Sequence, residues 1–444
     1  MTQLLLSTPG PPPRILIVGG GYVGMYTALG LQSALRPGEA SVTVVDPQPQ
    51  MTYQPFLPEA AAGSIEPRHV VVPLRRVLRR CHIVCGRVTG VDHAHRFATL
   101  ENCAGHLEQL GYDVLVMAPG SIARTLPIPG LAEHGIAFKT IGEAIYLRNH
   151  VLSRLEAADT TIDPQLRRKL LSFVVIGGGY AGIEVLAELE DMARYACRYY
   201  ETIQPQDMRW VLVEATGRIM PEVSPRMGSY TAKRLTERGI EIFLNTRVTT
   251  MENGHVVLDD GTEFDADTIV WTAGVKANPV LQQTDLPLDD RKRLRCGATL
   301  QVVDCPEAFS AGDCAAVPDL TSDDPNATCS PSAQHAVRQA KVLADNVIAH
   351  LRGQPLRQYR HRYSGSVASL GLYRGVAEVY GIRFKGIVAW FLHRSYHLSR
   401  MPTFNRKVRI VTDWTAALLF RREVVALGQI NDPKAEFARA TSTS

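Results

Sequence analysis

Short runs of apolar residues alternate along the chain with longer segments that have the composition of helices. The first run, Arg14–Val18, leads into three glycines, after which Tyr22–Leu35 is compatible with a helix. A second run, Ser41–Val45, ends in Asp46. Continuous apolar runs are typical of strands buried on both faces of a parallel sheet, whereas half-exposed strands alternate apolar and polar residues. The pattern therefore predicts an α/β fold that begins with a strand–helix–strand unit.

The glycines between the first strand and its helix have the spacing G-x-G-x-x-G, at Gly19, Gly21 and Gly24. This spacing permits a tight turn, a close approach of a pyrophosphate, and close packing of the helix on the strand. Asp46 ends the next strand, where a carboxylate can accept hydrogen bonds from ribose hydroxyls. These four residues predict a dinucleotide-binding site.

The arrangement occurs a second time in the chain. Phe173–Ile176 is an apolar run, and a second G-x-G-x-x-G follows it at Gly177, Gly179 and Gly182. A helical segment and the strand Met208–Val213 come next, and that strand ends in Glu214. This internal repeat predicts two dinucleotide folds in one chain.

Other segments complete this outline. Short strands around Val84, Ala98 and Val114 suggest a meander beside the first parallel sheet. Thr140–Leu155 and Ser332–Leu351 have the periodicity of helices, and the second has one continuous apolar face. Beyond Gly353 the composition becomes basic and aromatic, which indicates a third region.

Composition narrows the class of protein. The 444 residues suffice for two or three domains, and 45% hydrophobic with 21% charged residues is ordinary for a globular protein. A formal charge of +4 is too small to indicate a nucleic-acid partner, and none is expected. We find no apolar run of membrane-spanning length and no signal peptide, so we expect the chain to stay in the cytoplasm.

The eight cysteines form no C-x-x-C motif and have no histidines at zinc-site spacing, so no metal site is expected. Cys81 and Cys85 lie in one predicted strand, about 13 Å apart, which is too far for a disulfide. Most of the cysteines are expected to be buried packing residues.

The two glycine motifs together resemble the two-dinucleotide-binding flavoprotein reductases. The resemblance implies FAD at the first motif and NAD(P)H at the second, with the late pair Gly312 and Asp313 contacting FAD. It implies two Rossmann-like domains, the NAD domain being inserted in the FAD domain, plus a C-terminal membrane-docking region. The expected division is a tail at 1–13, the FAD domain at 14–160 and 291–355, the NAD(H) domain at 161–290, the C-terminal region at 356–430, and a tail at 431–444.

Within that superfamily the chain is similar to the type II NADH dehydrogenases, which are single-chain NADH:quinone oxidoreductases. Ala333–Gln339 reads A-Q-x-A-x-x-Q and resembles the A-Q-x-A-x-Q helix of that family, which lines the quinone side of the flavin. Gly182-Ile183-Glu184 matches the G-x-E motif of the family. The resemblance implies Glu184, Gln334 and Gln339 as catalytic residues, with the acid near the nicotinamide. Gln334 and Gln339 point about 140° apart on a helix, so one is expected to contact the flavin and the other the quinone.

The implied activity is transfer of a hydride from NADH to FAD and of two electrons to a membrane quinone of the respiratory chain, without proton pumping. Glu214 favours NADH over NADPH because a carboxylate repels the 2′-phosphate, although Arg218 lies nearby in sequence. The segment 48–63 holds no cysteine, which argues against a dithiol relay. Two alternatives stay open: a soluble NAD(P)H-dependent flavoprotein reductase with a protein or disulfide acceptor, and an NADH-sensing flavoprotein with slow turnover.

The C-terminal region contains two apolar stretches, Ile387–Leu392 and Trp414–Phe420. From Lys385 to Arg422 there are eight Lys or Arg residues and one acidic residue, Asp413. Apolar and aromatic residues with a basic flank suit helices lying in the headgroup layer of an anionic membrane. We therefore expect a peripheral protein on the cytoplasmic side of the cell membrane. The alternative is a core-packed or dimer-forming domain; a homodimer is expected, and one apolar surface can serve both purposes.

Overall fold

The computed structural model describes residues 11–361, 365–420 and 422–426. They form two compact units, each built from three segments. The first contains 11–52, Val72–Ile122 and 275–361, and the second contains Tyr53–Val71, Ala123–Gly274 and the described residues after 364. The predicted tail at 431–444, Arg421, and all but the last three residues of the tail at 1–13 lie outside the described residues.

The first unit is built on an eight-stranded mixed sheet. Arg14–Val18 lies inside it, paired in parallel with Ser41–Asp46 on one side and Val114–Met117 on the other. All its residues after Arg14 are buried, which explains its uninterrupted apolar sequence. Across the sheet the strands are Gln301–Val302, Cys305–Ser310, Val114–Met117, Arg14–Val18, Ser41–Asp46, His82–Asp92, Phe97–Asn102 and Leu107–Gly111.

The meander differs from the prediction. It consists of His82–Asp92, Phe97–Asn102 and Leu107–Gly111, which pair antiparallel. Placing Val114 in it was wrong, because Val114–Met117 is a parallel strand next to Arg14–Val18. Leu107–Gly111 is an edge strand with hardly any buried residue, so its sequence lacks the apolar signal that marks the other strands.

Two long helices pack together in the first unit, Tyr22–Ala34 and Ala333–Leu351. Thr27 Oγ1 donates a hydrogen bond to the Ala340 carbonyl, and a Cβ on Gly30 would lie only 2.6 Å from Ala344 Cβ. The glycine thus permits a close approach of the two helices. Ser332 caps the second helix by accepting from the His335 amide, 3.1 Å away.

The second unit contains the repeat predicted from the sequence, a five-stranded sheet in which all pairs are parallel. Across it the strands are Gly135–Ala137, Thr268–Trp271, Ser172–Ile176, Arg209–Glu214 and Ile240–Leu244. Ser172–Ile176 is buried throughout and leads into the helix Tyr180–Ala196. An antiparallel sheet of Val248–Thr250, His255–Leu258 and Glu263–Asp265 belongs to the same unit. The predicted α/β class is confirmed.

The helix predicted at Thr140–Leu155 extends over Ile141–Thr160. Its start is well encoded, because Thr140 and Glu143 form a reciprocal capping box. Only residues 161–163 separate this helix from the next one, Pro164–Leu170. The remaining α-helices of the described residues outside the C-terminal region are Leu57–Ala61, Leu74–Val77, Leu131–His134 and Pro225–Thr236.

The described part of the C-terminal region begins with an antiparallel sheet of Gly365–Ser369, Gly375–Val379 and Ile382–Lys385. The helices Gly386–Arg400 and Phe404–Leu419 follow. Neither they nor any other helix in the described residues has the length and apolarity needed to cross a membrane. The short strands elsewhere are Gln50–Thr52, Val71–Pro73, Ser121–Ala123, Val275–Ala277, Leu294–Arg295 and Ala315–Ala316.

Candidate cofactor and catalytic sites

The first glycine turn has the geometry of a dinucleotide cradle. Gly19 has φ +103°, and a Cβ there would lie 2.2 Å from the Ala118 carbonyl oxygen. A Cβ on Gly24 would lie 1.7 Å from the Gly19 carbonyl oxygen, whereas one on Gly21 would meet no atom within 4 Å. The outer glycines therefore permit the turn and the helix packing, and the middle one faces the open space that a pyrophosphate needs.

Asp46 lies directly beside this turn. Its Oδ2 accepts from the Gly20 amide at 2.6 Å, and its Oδ1 accepts from the Gln48 amide at 2.7 Å. Burial raises the pKa of Asp46, while the two amide hydrogen bonds oppose that shift. A carboxylate offers about four acceptor positions, so two remain for the hydroxyls of a ribose. The turn and its acid thus fit the adenosine and pyrophosphate part of FAD.

Gly312 and Asp313 form a second polar turn in the first unit. Gly312 has φ +76°, and the Ser121 hydroxyl donates to Asp313 Oδ2 at 2.6 Å. The Gly312 amide donates to Gln339 Oε1 at 2.7 Å. Gln339 is only 1% exposed, so its side-chain oxygen stabilises the Gly312 turn from the interior of the unit.

Gln334 has different surroundings on the same helix. It is half-buried, and its Oε1 lies 3.3 Å from His361 Nε2. The neighbouring His335 ring contacts the Tyr359 hydroxyl at 2.8 Å, and burial lowers the pKa of His335. The bond from Gly312 to Gln339 was not predicted, because nothing local in sequence links residues 27 positions apart.

The second glycine turn repeats the first. Gly177 has φ +112° and a Cβ there would lie 2.8 Å from Thr272 atoms, while a Cβ on Gly182 would lie 1.9 Å from the Gly177 carbonyl oxygen. A Cβ on Gly179 would meet its nearest neighbour, Glu222 Oε1, only at 4.0 Å. Again the middle glycine borders open space, which fits a second dinucleotide.

Glu214 accepts hydrogen bonds from backbone amides in the same way as Asp46. Its Oε2 accepts from the Gly178 amide at 2.6 Å, and its Oε1 accepts from the amide and hydroxyl of Thr216, both at 2.8 Å. Arg218 is directed into its own loop, where it donates to the carbonyls of Pro221 and Val223 at 2.5 and 2.7 Å. Its guanidinium is therefore engaged by main-chain oxygens within that loop.

Glu184 is the fifth residue of the helix Tyr180–Ala196, just after its first turn, in the second unit. Its Oε1 accepts from the Ser369 amide at 2.9 Å and lies 3.1 Å from His393 Nε2. The His393 ring is 1% exposed; its burial acts to lower its pKa, but Glu184 and other carboxylates leave that pKa raised overall. The predicted catalytic acid is thus paired with a histidine of the C-terminal region.

A buried carboxylate that the sequence did not indicate lies in the same unit. Glu59 is 1% exposed, and its Oε2 accepts from Arg394 Nη2 at 2.8 Å and from Trp414 Nε1 at 2.9 Å. Residues from two C-terminal helices therefore converge on one acid of the short helix Leu57–Ala61. Sequence patterns give no sign of these contacts, which join positions more than 300 residues apart.

Glu188, one turn after Glu184, is a second such carboxylate. It is 1% exposed, accepts from the Ser369 hydroxyl at 2.7 Å, and lies 3.8 Å from Arg422 Nη2. Burial, followed by repulsion from Glu59, raises its pKa to about 7. The i, i+4 spacing of Glu184 and Glu188, which places both acids on one face of the helix, is the sequence signal for this pair, and the sequence prediction includes only Glu184.

His397 and Tyr53 lie next to His393, the histidine that pairs with Glu184. The rings of His393 and His397 have centroids 4.6 Å apart, and His397 Nδ1 lies 3.2 Å from the Tyr53 hydroxyl. Burial and then repulsion from His393 hold the pKa of His397 well below its usual range. The pKa values of the two adjacent histidines are therefore shifted in opposite directions, which favours the protonated form of His393 and the neutral form of His397.

The cysteines match the expectation in part. All eight are free thiols, and Cys197, Cys296, Cys314 and Cys329 are buried. Cys314, which follows Asp313 in the chain, is fully buried, and burial raises its pKa to about 11. Among the described residues, no group of side chains has the arrangement of a metal site.

Comparison with known proteins relates this architecture to a family. Residues 13–340 match the pyridine nucleotide-disulphide oxidoreductase model. The chain is 30% identical to a type II NADH:quinone oxidoreductase of Mycobacterium tuberculosis, over 94% of this chain and 90% of that protein. It is 26% identical to an internal alternative NAD(P)H-ubiquinone oxidoreductase of Arabidopsis thaliana, over 94% and 86%.

Among solved structures, NDH2 from Plasmodium falciparum in complex with NADH superposes with a TM-score of 0.85, covering 93% of this chain and 99% of that one. At 18% identity this match bears on the fold alone. The sequence relationship covers both glycine turns and both carboxylates that end their strands, and it confirms the resemblance inferred from the motifs. The chain belongs to the pyridine nucleotide-disulphide oxidoreductase family and, within it, to the type II NADH:quinone oxidoreductases.

Proposed function

We propose that this protein oxidises NADH and reduces a quinone, with FAD held at the turn of Gly19, Gly21 and Gly24 and NADH at the turn of Gly177, Gly179 and Gly182. The relationship to a type II NADH:quinone oxidoreductase over nine-tenths of both chains carries the proposal. The two cradles support it, because each has an open middle glycine and an acid positioned for a ribose. FAD, when bound, supplies the hydride acceptor and the two-electron donor.

In this proposal the first unit orients FAD. Asp46 accepts from its ribose, and Asp313, oriented by Ser121, faces its ribityl and phosphate part. Gln339 acts as a positioning residue, because its side-chain oxygen fixes the Gly312 turn. Gln334 is the candidate for contact with the quinone, since it is the less buried of the two glutamines.

In the second unit, Glu214 selects NADH, and the engagement of Arg218 by carbonyl oxygens supports that preference. Reducing a quinone to a quinol takes up two protons as well as two electrons. We assign proton holding to the pair of Glu184 and His393, with the proton on His393 Nε2, 3.1 Å from Glu184 Oε1. The raised pKa of His393 extends to higher pH the range over which the histidine keeps that proton.

The test is steady-state oxidation of NADH, with and without a short-chain quinone. Rapid oxidation that depends on the quinone is expected. Slow turnover that quinone leaves unchanged would contradict the proposal and favour an NADH-sensing flavoprotein. Fast reduction of a protein or disulfide acceptor with weak quinone activity would favour the soluble reductase instead.

We further propose that the two C-terminal helices dock on an anionic membrane, where a lipid-soluble quinone would be met. Positions on Phe404–Leu419 that differ by three, four or seven residues share one helix face. Along that face large apolar side chains are exposed: Phe404 81%, Val408 47%, Val411 44%, Leu418 62% and Leu419 74%. Ile410, on the other side of the helix, is buried, and Trp414, at the border of the exposed face, packs on Phe56 with ring centroids 5.7 Å apart.

The helix Gly386–Arg400 is divided in the same way. Ile387, Val388 and Phe391 are 59%, 52% and 64% exposed, whereas Trp390 and His393 are buried. Each helix therefore uses part of its surface for the core of the second unit and leaves an apolar part exposed. With the basic residues between Lys385 and Arg422, this composition suits the interfacial layer of an anionic bilayer.

Vesicle co-sedimentation separates this role from the alternative of a homodimer surface. Leu418→Ser with Leu419→Ser should weaken binding to vesicles rich in anionic phospholipid about tenfold or more, because two leucine side chains lose their burial. Ile162→Ser is the matched control, since Ile162 is 99% exposed and lies outside both helices. Unchanged vesicle binding together with loss of a dimer in sedimentation would assign this face to the homodimer.

A further inference from the structure

Cys85 and Cys103 lie side by side at the end of the edge hairpin of the first unit. Their strands, His82–Asp92 and Phe97–Asn102, pair antiparallel, with Gly86 opposite Asn102. Cys85 precedes Gly86, and Cys103 is the first residue after the strand Phe97–Asn102, so extending this register by one residue brings Cys85 and Cys103 opposite each other. Residues directly opposite in an antiparallel pair have Cα atoms about 4.5–5.5 Å apart. That spacing lies inside the range of roughly 4.4–6.8 Å found for disulfides.

The Cys103 side chain also contacts Cys85. Its thiol donates to the Cys85 carbonyl oxygen at 3.1 Å, and the proximity of Cys103 is the main cause that raises the pKa of Cys85. Both thiols are reduced. Cys103 is exposed and Cys85 is partly exposed, so an oxidant in solution can reach them. The pair combines backbone register, side-chain contact and access to solvent.

We propose that Cys85 and Cys103 are an oxidation site at which a peroxide forms a reversible intramolecular disulfide. The Cys103 sulfur, the more exposed one, attacks hydrogen peroxide: an S–O bond forms, the O–O bond breaks, and the released hydroxide takes the thiol proton as water. The Cys85 sulfur then attacks the sulfenic sulfur, an S–S bond forms, the S–O bond breaks, and a second water leaves with the Cys85 proton. The two thiols lose two electrons, and the peroxide gains them.

The position of the pair separates this site from the flavin chemistry. Cys85 is paired across the sheet with Asp46, the residue at the adenosine end of the proposed FAD site, and its thiol donates to the Pro47 carbonyl at 3.6 Å. The dithiol relays of related reductases act on the flavin ring instead. Oxidation of the pair would therefore modify the scaffold and not the site of the flavin chemistry. Replacing either cysteine should leave NADH:quinone turnover within twofold of the wild-type rate.

The test uses the reduced holoenzyme at neutral pH, a few equivalents of hydrogen peroxide, blocking of free thiols with iodoacetamide, and peptide mass spectrometry. We expect one cross-linked peptide joining Cys85 and Cys103, with two of the eight thiols lost and both recovered by dithiothreitol. Cys85→Ser and Cys103→Ser should each abolish the cross-link. Cys81→Ser is the matched control and should retain it, because Cys81 precedes the strand His82–Asp92 and the strand register brings Cys85, not Cys81, opposite Cys103.

Three results would overturn the proposal. One is oxidation of Cys103 that stops at a sulfinic acid without consuming Cys85. Another is a cross-link between two copies of the chain, visible on a non-reducing gel. The last is retention of all eight thiols under peroxide conditions in which an exposed model dithiol is fully oxidised.

Discussion

Replacing Glu188 by glutamine should remove a pH dependence from the stability of the second unit. Burial, followed by repulsion from Glu59, raises the pKa of Glu188 to about 7 in the folded protein, from the ordinary 4.5. The folded state therefore holds this proton more tightly than the unfolded state does. Stability from the protonated carboxyl is fully present below pH 4.5 and is lost as the pH rises to about 7. A shift of this size corresponds to about 3 kcal/mol.

Glutamine is nearly isosteric and uncharged, and its amide oxygen can still accept from the Ser369 hydroxyl. Arg422 keeps its ion pair with Asp191, at 3.0 Å. The free energies of unfolding of Glu188→Gln and wild type should thus agree within about 1 kcal/mol at pH 5. At pH 8 the wild type has lost the stability of the protonated carboxyl, so the variant should be more stable. The gain should be about 3 kcal/mol at most, since the variant also lacks the attraction between Glu188 and Arg422.

Urea denaturation of the FAD-bound protein between pH 5 and pH 8.5 measures this difference. Glu237→Gln is the control, because that carboxylate is partly exposed and pairs with Arg234 at the surface, so no pH-dependent gain is expected. If Glu188→Gln were less stable than wild type at pH 8, the carboxylate would have to be ionised and stabilised by Arg422. The reasoning from burial would then be refuted.

The cofactor cradles give the remaining predictions. Glu214→Ala should raise KM for NADH about tenfold with kcat within twofold, because the carboxylate that accepts from the ribose is lost. The preference for NADH over NADPH should become smaller, because the charge that repels a 2′-phosphate is lost as well. Steady-state kinetics with both nucleotides check this, and an unchanged ratio of kcat/KM for NADH to that for NADPH would argue against a role of Glu214 in selecting NADH. Gly24→Ala should abolish the flavin absorbance of the purified protein, because its Cβ would lie 1.7 Å from the Gly19 carbonyl oxygen. Gly142→Ala should retain that absorbance, since the nearest neighbour of its Cβ is 3.9 Å away.

The parts of the fold that the sequence predicted are those encoded by neighbouring residues. The turn at Gly177 and the capping box of Thr140 each depend on residues within a few positions, so their patterns are visible in the sequence. Val114 was misplaced because a four-residue apolar strand does not show which strand it pairs with. The contacts of Glu59 and Glu184 with the C-terminal helices could not be predicted for the same reason, since their partners are 209 to 355 positions away.

In the C-terminal region, composition alone does not separate the apolar residues that face the protein from those that face outward. Its apolar residues were treated as one membrane-docking set, but the structure divides them. Trp414 is directed inward to Glu59, and Leu418, one helical turn later, is 62% exposed. Burying Glu59 has a cost unless its charge is paired, and Arg394 of the other helix provides that pair at 2.8 Å. The inward residues therefore explain why the region is fixed to the second unit, and only the outward ones are available to a membrane or a second copy of the chain.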